Sequence, residues 1–138
     1  MLFGVCLALP LFSVQAGEKK SAQVECATTE YKLVYECMIT LTGKQSGQVI
    51  ADAEFMVGAD MPSMAMAHNV APVPVHNQGN GMYHARITLE MYGEWALKLE
   101  FTKPHRDLVV TKLVFSRESV TMSDVHDSKH EHTKKHED

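Results

Sequence analysis

Within eight residues, Met61-Pro62-Ser63-Met64-Ala65-Met66-Ala67-His68, the chain places three thioether sulfurs and one imidazole. Thioether sulfur is a soft donor that selects cuprous or silver ions over harder cations, and a loop bent by Pro62 can turn several donors towards one point. Met61, Met64, Met66 and His68 are therefore a candidate ligand set for Cu(I) or Ag(I). The competing reading is packing. Methionine is unbranched and polarizable and fills irregular gaps, so Met64 and Met66 would then plug the end of a hydrophobic core.

A second group of donors lies at the carboxyl end. His126, His130, His132 and His136, half of the eight histidines, stand among Asp, Glu and Lys between Val125 and Asp138. So polar a stretch cannot bury enough apolar area to fold alone, and residues 121–138 are expected to form a disordered His-rich tail. Imidazoles interleaved with carboxylates are borderline ligands, suited at loose geometry to Zn, Ni, Co or Cu(II). The bland alternative is a merely solvated tail.

Catalytic patterns are not evident. The chain carries no nucleophile-elbow serine, no His-Glu-x-x-His and no phosphate loop, and His76, His84 and His105 stand singly, as surface or packing histidines do. The expectation is a protein that is not an enzyme. A formal net charge of −4 argues against nucleic acid or an anionic membrane surface as partner and mildly favours cations.

Residues 1–16 form an apolar run ending in Val14-Gln15-Ala16, the small-residue pattern of a signal-peptidase site, followed at once by Gly17-Glu18-Lys19-Lys20. The run is too short to span a bilayer, so it reads as a cleaved signal peptide and the chain as periplasmic or otherwise exported. No Lys or Arg precedes it, and a start further upstream would leave a membrane anchor instead. Cys6 leaves with the leader. Cys26 and Cys37 remain, an even pair in a disulfide-permissive compartment, without the Cys-x-x-Cys spacing of a thiolate metal site. A bridge between them is expected.

What must position these residues is a sandwich of strands. Tyr31, Leu33, Tyr35, Cys37, Ile39 and Leu41 alternate with Lys32, Glu36, Thr40 and Thr42, a period of two with one buried face. After the turn Gly43-Lys44-Gln45-Ser46-Gly47 the alternation resumes at Val49, Ala51, Ala53, Phe55 and Val57. It returns in Tyr83, Ala85, Ile87, Leu89 and Met91, and again in Trp95, Leu97, Leu99 and Phe101. Leu108 to Arg117 reads as a last strand. Short alternating strands at regular spacing, with 45% hydrophobic and 22% charged residues, predict one all-β, antiparallel, immunoglobulin-like sandwich over residues 17–120. The stretch from Gly58 to Asn80 reads as a long connection. It holds the methionines, and Pro72 and Pro74 exclude it from the middle of a sheet.

Three ordered motifs, Met61-Pro62-x-Met64-x-Met66, Gly81-x-Tyr83-x-Ala85 and Met91-x-Gly93-x-Trp95-x-Leu97, resemble the YtkA-like and FixH-like domains, covering roughly Tyr31 to Phe115. That resemblance implies a small immunoglobulin-like domain of the bacterial envelope and an accessory role in copper handling or heavy-metal efflux, with a periplasmic efflux adaptor or another envelope metal-transport protein as partner. It also implies that Gly93, Trp95 and part of the methionine motif serve the fold. Two alternatives accompany it. One is a metal-free docking module of an envelope complex; the other is a FixH-type assembly factor for oxidase copper, from which this chain departs in having only a signal-like run where FixH keeps a membrane helix.

Overall fold

The computed structural model describes residues 17–123. The expected leader, residues 1–16, and the four tail histidines lie outside the described residues. Among the described residues nine strands follow in order: β1 Lys20–Thr28, β2 Val34–Gly43, β3 Glu54–Asp60, β4 Asn69–Pro74, β5 His76–Gly79, β6 Met82–Thr88, β7 Gly93–Lys103, β8 Asp107–Phe115 and β9 Val120–Met122. A 3-10 turn, Pro62–Met64, follows β3. All pairings are antiparallel, in one sheet ordered β1-β2-β6-β5 and a second ordered β4-β3-β7-β8-β9. Together they form a sandwich.

Alternation explains both sheets. In β2 the residues Tyr35, Cys37, Ile39 and Leu41 are buried while Glu36, Met38 and Thr40 face out, and β6 and β7 repeat the rule through Tyr83, Ala85, Ile87 and Trp95, Leu97, Leu99, Phe101. Aromatic edges join the layers. Tyr35 of β2 meets Phe115 of β8 with ring centroids 4.8 Å apart at 69°, and Tyr83 of β6 meets Phe55 of β3 at 5.0 Å and 70°. Each buried polar handle is satisfied: Tyr35 Oη donates to Ser116 O at 2.8 Å, and Trp95 Nε1 donates to Met91 O at 3.1 Å.

The structure departs from the periodicity at strand ends. Tyr31 and Leu33 precede β2 in a turn where Tyr31 is exposed and Leu33 takes φ 63°, so the inward face begins only at Tyr35. Val49 is exposed rather than inward, because it makes one isolated bridge to Thr42 and the strand starts at Glu54. The intervening segment is held instead by Tyr83 Oη, which accepts from Ala53 N at 2.9 Å and donates to Ile50 O at 2.8 Å. The long connection contains two strands, β4 and β5. Both are sheet edges, which is where Pro72 and Pro74 can sit without breaking a ladder on two sides. At the far end β9 carries the sheet to Met122, past residue 120.

Cys26 and Cys37 stand directly opposite each other in β1 and β2 and are joined by a disulfide. The bond pins an edge strand across a sequence separation of 11 residues, a loop closure that stabilises by about 2–4 kcal/mol. Thiol labelling of the natively purified protein should be negligible until reductant is added. Full labelling beforehand would show that the bridge does not form.

A lysine also ties the layers together. Lys20 of β1 is buried with its ammonium 3.6 Å from Asp107 Oδ2 of β8, 3.4 Å from His105 O and 4.8 Å from the Phe101 ring centroid. Burial pushes the Asp107 carboxyl upward, but the backbone N–H groups of Lys20 and Leu108 and the Lys20 ammonium outweigh it and hold the pKa below the usual carboxylate value.

Candidate functional site

The methionine segment is a closed loop leading from the end of β3 back to the start of β4. Met61 N donates to His68 O at 3.2 Å, Met64 N to Met61 O at 3.0 Å, and Ala67 N to Met64 O at 3.1 Å. Pro62 suits the first position of the 3-10 turn, where no intrahelical donor is needed and φ is already fixed. The loop is thus held by its own backbone, and its side chains divide between two environments.

Met61 belongs to the core. It is 5% exposed and packs with the buried cluster, and its Cε lies 2.7 Å from where a Cβ on Gly93 would stand. Gly93 has φ 137°, a region that favours glycine, so the pair is a matched fit between a methyl and a missing side chain. Met61 thus fills space between the layers, apart from the exposed thioethers of Met64 and Met66.

Met64 and Met66 face solvent, at 42% and 95% exposure. Met66 is also in the left-handed region at φ 68°, where an unbranched non-glycine residue carries a cost of order 1 kcal/mol. The packing role considered for these two residues does not describe this geometry, since plugging a core gap requires burial. His68 is half-buried, with Nδ1 2.5 Å from Glu90 Oε2. A carboxylate on one ring nitrogen orients the imidazole and leaves Nε2 as the nitrogen for a ligand.

Glu90 leads to a donor that the alternation misplaces. Met91 continues the inward series Tyr83 to Leu89 in sequence, yet β6 ends at Thr88 and Met91 lies in the bend before β7, 37% exposed. Its carbonyl is anchored by Trp95 Nε1. Gly93, two residues on, is the signal that the strand has ended before Met91. One junction of the sandwich therefore presents exposed thioethers on Met64 and Met66, an oriented imidazole on His68 and, next in sequence to the residue that orients it, a third exposed thioether on Met91.

The other histidines among the described residues stand elsewhere. His105 Nε2 lies 3.2 Å from Lys20 Nζ at another corner, and His76 and His84 face each other across β5 and β6. No helix among the described residues is long and apolar enough to cross a membrane. Compared with known proteins, residues 17–100 match the family model described as YtkA-like. No curated protein and no solved structure matches the chain.

Proposed function

Since the chain belongs to the YtkA-like family, we propose that it is a non-catalytic accessory protein of the bacterial envelope that captures, buffers or delivers soft metal ions, Cu(I) or Ag(I), for an efflux system. The observation that carries this reading is Met66, a large apolar side chain almost wholly in solvent on a backbone in the left-handed region, beside exposed Met64 and oriented His68. Burial repays nothing at Met66, whereas a soft ion would draw on both thioethers and on His68 Nε2, with Met91 at the edge of the group. The disulfide supports an oxidising compartment, as export does. A periplasmic efflux adaptor is the partner to which such a carrier would hand its ion.

The tail enters as a second donor group. His126, His130, His132 and His136 would hold Zn, Ni, Co or Cu(II) and so buffer borderline ions. The test is a titration of the mature protein with cuprous, silver, zinc and nickel ions, read by native mass spectrometry. Bound silver and cuprous ion that survives deletion of residues 124–138, with zinc and nickel largely lost, is the expected pattern. The deletion should leave the melting temperature nearly unchanged, because the last described backbone contact of the sheet, Ser123 N to Lys112 O at 3.1 Å, is retained. If no cuprous ion binds even under reductant, the exposed methionines serve instead as an adaptable docking surface for a protein partner.

A further inference from the structure

The outer face of the sheet β1-β2-β6-β5 carries a cross-strand row in which Glu25 opposes Met38, Met38 opposes His84, and His84 opposes His76. Directly opposed residues share a face, and the buried neighbours Cys37, Tyr83 and Ala85 fix this one as the outer face. The imidazole rings of His76 and His84 lie 6.4 Å apart between centroids at an angle of 26°. His84 Nε2 is 2.5 Å from Glu36 Oε2, and the other oxygen of Glu36 is held by Arg86 at 3.1 Å. Glu36 Oε2 is buried and out of hydrogen-bonding alignment with any partner, the ring of His84 included.

We infer that His76 and His84 form a second metal site, one that takes a borderline divalent ion such as Cu(II), Ni(II) or Zn(II) between their imidazoles. Glu36 occupies the Nε2 side of the His84 ring by close approach, without an aligned hydrogen bond, and so leaves the other nitrogen to a metal. Here Glu36 stands behind Nε2 of His84, so Nδ1 faces the ion. Nitrogen-to-metal distances of about 2.0–2.1 Å, with the lone pairs in the ring planes, require a side chain to rotate so that one nitrogen of each ring points at the ion. His76 has that freedom, being exposed on a four-residue edge strand. Thioethers flank the pair at Met38 and at half-exposed Met82. No three of His, Cys, Asp and Glu among the described residues are grouped to hold a metal, so the remaining positions fall to water and the site is one for capture and exchange. An ion held by both imidazoles would clamp β5 onto β6. This site goes beyond the soft-ion reading of the loop and does not rest on it.

The test uses the full chain, above neutral pH, with substoichiometric Cu(II) and amide-resolved NMR. Paramagnetic broadening is expected at His76, Asn77, Tyr83, His84 and Ala85, in addition to any at the tail. His76→Asn should abolish it at those five positions while leaving the tail's response intact. A second full-length variant, with His126, His130, His132 and His136 all changed to Asn, should keep it. Amides 76–85 that stay sharp in the wild type, or broaden equally in His76→Asn, overturn the site. Broadening that disappears in the tail variant overturns it too, because the tail would then be carrying the ion. Since Cu(I) and Ag(I) are absent, neither outcome bears on the methionine loop.

Discussion

Replacing Met64 and Met66 together by leucine is expected to raise the dissociation constant for Ag(I) or Cu(I) by about 100-fold, equivalent to about 2.8 kcal/mol. Leucine keeps size and apolarity and removes only sulfur. Both side chains are solvent-exposed, so the stability change should stay within about 0.5 kcal/mol, as for other surface substitutions away from packing or caps. Zinc binding at the tail should persist, because imidazole and carboxylate donors do not depend on these thioethers. Met61→Leu is the internal control. It alters a buried contact against Gly93, so it should cost up to about 1.5 kcal/mol of stability and leave silver affinity unchanged. Equal silver affinity in wild type and double variant, measured by competition with a chelator, would remove the loop from the account.

The largest effect on folding is expected from Trp95→Ala. Trp95 is fully buried near the start of β7, and truncating such a side chain costs about 3–5 kcal/mol. A domain of this size has about 5–15 kcal/mol in total, and each kcal/mol lowers the melting temperature by roughly 4–8 °C for a domain of about 60–100 residues. The loss reaches the candidate site as well, since Trp95 Nε1 is the donor that anchors the Met91 carbonyl. Circular dichroism during thermal unfolding would check it. A fall of only a few degrees would mean that another side chain anchors the core.

The strands legible in the sequence are those with a buried face long enough to alternate. Tyr35 to Leu41, Tyr83 to Leu89 and Trp95 to Phe101 are readable because every second residue enters one core, whereas Leu108 to Phe115 is readable from its valine-rich composition. Edge strands are less visible. β4 and β5 bury little, and Pro72, Pro74 and Asn77 to Gly79 carry loop signals, so only pairing with β3 and β6 reveals them. β1 has buried Lys20 and Val24 with half-buried Ala22 and Cys26 on one face, a pattern masked by a lysine in an inward position. At the site, residue types were legible and directions were not. Met61, Met64 and Met66 look equivalent in sequence, yet one side chain enters the core beside Gly93 and the other two leave it, a division set by the backbone-closed turn from Met61 to His68. Met91 is misplaced for the converse reason: the alternation in sequence continues past the end of β6.

The most direct test of the soft-ion site is to follow the methionine Cε methyl signals of the full chain by NMR while silver ion is added. The Met64 and Met66 methyls should shift together and saturate near one equivalent, with Met91 responding alongside them, while the Met61 methyl, buried against Gly93, stays in place. Met64 and Met66 methyls that remain unmoved at several equivalents, while the histidine signals change, would show that the loop holds no soft ion.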